Sequence, residues 1–279
     1  MAKIGNCGLC KLQKELMNSH LIPASIFNIL MTKNFPNKPE SNLIFEDYTR
    51  NIAITSSKQV TSYFLCDDCE QLFSKNGEKH VAETCYINDN NFKLLEELNQ
   101  LKPSHVSSKG ILYLGESIRD WQKFLYFATS IFWRASAGKW NSELVQTKIS
   151  LGEKYQEGLR LYLYGQADFP KNIYLLIDVD SDPIEKTPLI AFPQSNKTKE
   201  GFFKHRFTIP CLTFYFFIGN KYHNLKDYYH QHNTNILINS ISFKKTNDYD
   251  FILKNQCKIE PKGKRLKELT KKINEQKQF

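Results

Sequence analysis

Four cysteines arranged as two Cys-x-x-Cys pairs constrain this chain more than any other feature of its 279 residues. Cys7-Gly8-Leu9-Cys10 and Cys66-Asp67-Asp68-Cys69 each present two sulfurs from neighbouring turns. Together they supply the four thiolates of a closed tetrahedral Zn²⁺ site. The first residues hold no apolar stretch, so the sequence predicts no secretory signal and a cytoplasmic setting in which disulfides are disfavoured. A redox role fits less well, because no apolar strand leads into the first pair and dithiol chemistry needs one pair rather than two. The 55 residues between Cys10 and Cys66 form a long insertion within such a site. Cys85, Cys211 and Cys257 read as ordinary buried thiols.

A content of 41% apolar and 24% charged residues excludes a disordered chain and predicts a packed protein of one large or two ordinary domains. No apolar run approaches the ~18 residues of a membrane-spanning helix, so no membrane partner is expected. The net charge is +9, and the segment after Cys257 contributes +5 of it, with eight basic and three acidic residues. Lys262, Lys264, Arg265, Lys267, Lys271 and Lys272 lie there. Leu266, Leu269 and Ile273 give the same stretch a thin apolar stripe at helical spacing, so it predicts a terminal helix with a cationic outer face. Such a face is a solvated surface by default, and on a nucleic-acid enzyme it would extend the phosphate-binding area.

The periodicity divides the chain near residues 86 to 92, giving domains 1–88 and 89–279. In the first, residues 11 to 18 are polar, 24 to 31 predict a short helix, 52 to 65 short strands, and a helix starts at Asp67 with Glu70, Ser74 and Glu78 on one face. In the second, residues 90 to 101, 117 to 137 and 150 to 164 predict helices, the last with Ser150 and Glu153 as a capping box. Residues 111 to 114, 173 to 179, 188 to 192, 202 to 209, 212 to 218 and 236 to 241 predict strands. Helices followed by mostly antiparallel strands define an α+β domain.

The order Cys7-x-x-Cys10, His20-Leu21-Ile22-Pro23, then Cys66-x-x-Cys69-Glu70 opening a helix resembles the zinc-bearing HNH endonucleases. Ser19 to Pro23, Cys66 to Ser74 and Glu78 also resemble a group of bacterial proteins of unassigned role. The HNH resemblance covers the first ~80 residues and implies a treble-clef zinc unit carrying a ββα-metal site. It implies His20 as the general base toward water, and Glu70 with Glu78 as ligands of a catalytic Mg²⁺ or Mn²⁺. It further implies a nucleic-acid substrate, DNA foremost, a role in restriction or phage defence, and a C-terminal domain that recognises the target or meets a regulatory protein partner. Two groups of the pattern have no counterpart here. Ser19 stands where a cation-binding Asp is common, and Val60 to Leu65 contains no Asn.

Each residue also has a plain reading: His20 as a core histidine, Glu70 as a carboxylate favoured by the first turn of any helix, Glu78 and Ser74 as surface positions. Arg134, beside Trp133 on the longest predicted helix, reads as a surface arginine. His80 sits on a different helix face from Glu78. Tyr228 to His232, with its His-x-His, reads as a solvated loop. A non-catalytic zinc-binding module for nucleic acid or a protein partner is therefore the second function class. A third, with the enzyme in the C-terminal part, lacks any nucleotide-binding glycine loop or nucleophile motif.

Overall fold

The computed structural model describes residues 2–34, 43–47, 50–56, 58–87, 91–108, 110–140, 149–182, 189–197, 201–219, 226–256, 258–264, 267–268 and 271. The fold is α+β. Three-residue strands frame the cysteine pairs: β1 (Ile4–Asn6) pairs antiparallel with β2 (Gln13–Glu15), and β3 (Asn18–His20) with β6 (Thr61–Tyr63). β2 lies within the stretch of residues 11 to 18 that looked merely polar, and β3 begins at its last residue. Pro23 is followed by α1 (Ala24–Asn34), and the long insertion also contains the antiparallel pair β4 (Leu43–Asp47) and β5 (Ile52–Ser56).

At the second cysteine pair the chain enters α2 (Asp67–Phe73), runs through a π-helical segment (Ser74–Glu78) and continues as α3 (Lys79–Thr84). Then come α4 (Lys93–Leu98), β7 (His105–Ser107), β8 (Gly110–Leu114), α5 (Trp121–Ala137) and α6 (Glu153–Leu163). The expected capping box is absent: α6 is preceded by Gly152 at φ 75°, with no side-chain cap. The remainder comprises β9 (Ile173–Asp180), β10 (Ala191–Lys197), β11 (Phe203–Ile209), β12 (Leu212–Ile218), α7 (Lys226–Gln231), β13 (Ile236–Ile241), α8 (Asn247–Gln256) and β14 (Glu260–Pro261). Tyr228 to His230, expected in a loop, belong to α7.

Seven strands form one sheet in the order β10-β11-β12-β9-β13-β8-β7, antiparallel throughout except between β13 and β9. Alternation sends Phe207, Phe214 and Phe216 toward α5, where Phe132 meets Phe216 at 4.5 Å and Phe207 at 4.9 Å between ring centroids. From another side of the same helix, Trp133 packs on Phe64 at 5.3 Å and Phe73 at 6.0 Å, residues that flank the second cysteine pair. Helix α5 therefore lies between the cysteine unit and the sheet, and one hydrophobic core runs from Cys7 to Ile238 across the division drawn at residue 88.

Gly77 permits the closest approach on that path. A Cβ there would lie 2.9 Å from the Phe127 nitrogen and 3.0 Å from the Lys123 carbonyl oxygen, both backbone atoms of α5. Only glycine lets the π-helical segment and α5 meet so closely.

The last described residues return to the N-terminal part. β14 pairs parallel with β5, through Glu260 N–H to Asn51 O at 2.9 Å and Lys262 N–H to Ala53 O at 2.7 Å. Lys262, Lys264, Lys267 and Lys271 are exposed, while Arg265, Lys272 and Cys257 lie outside the described residues.

Candidate metal centre and the polar cluster beside it

The first cysteine pair is shaped by its own backbone. Cys7 N–H donates to Leu12 O at 2.9 Å, and Lys11 N–H donates to Cys7 O at 3.0 Å with Lys11 left-handed at φ 64°. Gly8 N–H donates to Phe64 O at 2.9 Å, joining this turn to the strand end before Cys66. Cys66 stands at the N-terminus of α2, and its N–H donates to Cys7 Sγ at 3.3 Å. The four sulfurs of Cys7, Cys10, Cys66 and Cys69 all lie within 4.8 Å of one another, with Cys10 and Cys66 Sγ 3.9 Å apart. This set is compatible with a structural zinc ion. Arg160 fastens it to α6 by donating from Nη1 to Leu9 O at 2.7 Å.

The thiols are electrostatically divided. Cys7 is pulled down to about 4, first by its hydrogen bond with Cys69 and then, against burial, by backbone N–H donors. Cys69 is pushed up by that same bond and by burial, and Cys66 is raised chiefly by burial. One thiolate therefore makes its neighbours harder to ionise, and a bound divalent cation is what would let all four deprotonate. Cys85, by contrast, is fully buried and pushed up to about 12, an inert thiol.

The pleat of β3 turns Ser19 inward. It is 2% exposed, and its Oγ accepts from Leu65 N–H at 3.1 Å, tying β3 to the entry of the second pair. Its role is structural. His20, next along, is half-buried, and burial first and Arg134 after Glu70 set its surroundings: desolvation and the guanidinium lower its pKa while Glu70 and Glu78 oppose them. His20 is consequently neutral at pH 7.

Glu70 and Glu78 come from α2 and the end of the π-helical segment. Eight residues of regular α-helix sweep roughly 800°, which would leave Glu78 about 80° past Glu70. The wider π turns wind fewer degrees per residue and bring Glu78 back toward the Glu70 face. Both carboxylates face Arg134 of α5, whose Nη2 is hydrogen-bonded and ion-paired to Glu78 Oε1 and lies 4.0 Å from Glu70 Oε2. Arg134 Nη1 donates to the His20 carbonyl at 3.2 Å, and the guanidinium rests over the Phe73 ring at 4.6 Å. Arg134 is 1% exposed, so the surface reading fails, and Glu78 is a partner of a buried charge rather than a surface residue. Glu70 Oε1 and Arg134 Nε are buried without a hydrogen-bond partner.

Comparison with protein-family models, with curated proteins and with solved structures finds no match. The site must be read from its own chemistry. His20, Glu70 and Glu78 converge as one neighbourhood, but among the described residues the four cysteines are the group of three or more metal-capable side chains in joint reach of an ion. A divalent cation held by His20 and the two glutamates does not fit this arrangement. Arg134 is the residue whose burial the sequence reading did not anticipate. One signal was available, since it is the lone charge between Phe124 and Ala137, and a charge with apolar neighbours on every side needs a buried partner.

His80 lies with its Nδ1 4.0 Å from Asp120. A second nucleophile–base arrangement, Ser195 Oγ 2.5 Å from His205 Nδ1, is a directly opposed pair across β10 and β11. His205 is 1% exposed, and burial lowers it to about 4, too weak a base for activating a hydroxyl at neutral pH. Its consequence is for stability. The unfolded imidazole takes a proton near 6.5 and the folded one does not until about 4, so the stability present above pH 6.5 is lost as pH falls through that window. Denaturant unfolding at pH 7 and pH 4.5 should show about 2 to 3 kcal/mol more acid destabilisation in wild type than in His205→Gln. Equal acid sensitivity would mean the ring is accessible to protons in the folded state.

Proposed function

We propose that the chain is an HNH-like nuclease that hydrolyses phosphodiester bonds of nucleic acid, DNA foremost, with His20 as the proton acceptor. The observation that carries this reading is the placement of His20. It ends strand β3 of an antiparallel β3–β6 pair, and the chain passes from β6 through Cys66 directly into the helix bearing Glu70. That neighbourhood supports the strand–strand–helix reading of the resemblance, with α1, β4 and β5 inserted between the two strands, and a Zn²⁺ on the four thiols would hold strand and helix together. His20, a neutral imidazole at pH 7, takes the proton as water attacks phosphorus and the bond to the leaving oxygen breaks. A role in restriction or phage defence, in the cytoplasm, follows from the resemblance. No helix among the described residues is long and apolar enough to cross a membrane.

The catalytic Mg²⁺ or Mn²⁺ of the family has no ready seat here, and no step is assigned to it. The same fact favours a second reading, a zinc-binding module that holds nucleic acid without cutting it. Purified protein incubated with plasmid, single-stranded DNA and RNA, in Mg²⁺, Mn²⁺ or EDTA, separates the two. Cleavage products support the nuclease, and retention of nucleic acid without products supports the module.

The exposed lysines at 262, 264, 267 and 271 are the proposed phosphate contacts. Each phosphate neutralised steepens the fall of affinity with salt by about 0.9 in log–log slope on duplex DNA. Deleting residues 262 to 279 should therefore weaken binding and flatten that slope. A slope unchanged by the deletion assigns the tail to folding, through β14, or to a protein contact.

A further inference from the structure

The place where a nuclease of this kind would seat its cation is already held by a positive charge. Arg134 reaches it from α5, a helix outside the cysteine unit, and every feature around it acts to keep it there. Its guanidinium is ion-paired to Glu78, lies 4.0 Å from Glu70, donates to the His20 carbonyl at 3.2 Å and covers Phe73 at 4.6 Å. Its backbone carbonyl accepts from Trp140 Nε1 at 2.7 Å and from Gly138 N–H at 2.9 Å, closing the end of the helix. The residue is 1% exposed, yet its Nε has no partner, nor has Glu70 Oε1. The cluster is thus an incompletely satisfied polar site, not a finished structural ion pair.

We infer that Arg134 is the resident cation of this site and a built-in competitor of divalent metal, so that Mg²⁺ or Mn²⁺ enters between Glu70 and Glu78 only when the arginine is withdrawn. The charge count favours it. With a neutral imidazole, two carboxylates and one guanidinium leave a single net negative charge. An incoming divalent ion must either share the carboxylates with a fixed positive neighbour in dry surroundings or displace it. Mg²⁺ adds its own demand, because it dehydrates reluctantly and needs octahedral oxygen ligands that the closed pair does not expose. Since α5 also carries Phe132 and Phe127 against the sheet, the arginine couples the metal site to the C-terminal part.

The inference takes from the proposed function only that Glu70 and Glu78 belong to one site, and it is tested by metal binding rather than by cleavage. Mn²⁺ is titrated into the zinc-loaded full chain, and free Mn²⁺ is read by electron paramagnetic resonance. Wild type should bind no Mn²⁺ below about 1 mM, a weak-site limit for oxygen-ligand cations. Arg134→Met should bind one per chain about 5- to 150-fold more tightly, the usual range for coupling between two competing occupants, and Arg134→Met with Glu78→Gln should lose the gain. Arg134→Gln serves in the same way if the methionine variant does not fold.

A folded Arg134 variant that binds Mn²⁺ no better than wild type overturns the inference. So does wild type that binds Mn²⁺ below about 100 µM and loses it in Glu78→Gln. If neither variant folds, Arg134→Ala is titrated in the same way, and no gain over wild type overturns the inference. Failure of wild type to cut nucleic acid would count against the nuclease reading and leave this result standing.

Discussion

Loss of zinc should unfold the N-terminal part of the protein. The strands that shape it, β1, β2, β3 and β6, are three residues each, far too short to persist on their own hydrogen bonds. Their order depends on the four sulfurs within 4.8 Å and on the apolar contacts of Leu9, Leu65 and Phe73 behind them. A structural Zn²⁺ contributes about 10 to 16 kcal/mol of apparent binding energy, as much as the whole stability of a typical domain. The Cys66→Ser, Cys69→Ser double variant should therefore lose both zinc and the cooperative unfolding of residues before α4. Trp133 and Trp140 report it, because both pack on Phe64, and their fluorescence should shift as that contact is lost.

Acid should act in the same direction. Cys66 and Cys69 are held as thiols above their ordinary range and must release protons when zinc binds. Affinity should fall as pH drops below neutrality, because each thiol still protonated must give up its proton before it can ligate. Elemental analysis showing no zinc, or a double variant that melts with wild type, removes the metal centre and the hairpin geometry that depends on it.

How much of this could be read in advance differs by residue, and the reasons are physical. The cysteine spacing was legible because the coordination number of zinc dictates it. Helix α5 was legible because an apolar run with 3.6-residue periodicity has few other solutions, and β11 and β12 because their aromatic alternation matches a pleat. The π-helical turn was not, because a sequence pattern is read with the α period and the extra residue shows only in space. The pairing of β14 with β5 was not, since two residues carry no periodicity. Sheet order was hidden too: β13 inserts between β9 and β8, and nothing local in Ile236–Ile241 names its neighbours. Arg134 was misread because charge predicts exposure unless a partner is known, and its partner lies 56 residues upstream. The candidate site was therefore half legible, with the four cysteines, His20 and the two glutamates visible and the arginine that pairs with the glutamates invisible.

Replacement of His20 is the decisive test of the chemistry. The side chain lies outside the cysteine cluster, and the contact that anchors its strand is made by its carbonyl with Arg134, which alanine retains. His20→Ala should accordingly keep zinc, fold and nucleic-acid affinity while removing the proton acceptor. Loss of a general base costs ~100- to 10,000-fold, so any wild-type cleavage should nearly vanish. The pH profile supplies a second reading. Burial, reinforced by Arg134, holds the imidazole below 6.5 against Glu70 and Glu78, so wild-type rate should be level above that pH and fall only on the acid side as the ring takes a proton. Glu70→Gln removes the main opposing charge and should move the acid limb of whatever activity the variant retains to lower pH. Cleavage by His20→Ala at the wild-type rate would end the nuclease assignment to this histidine. An unmoved limb in Glu70→Gln would mean that the group titrating in the profile is not His20.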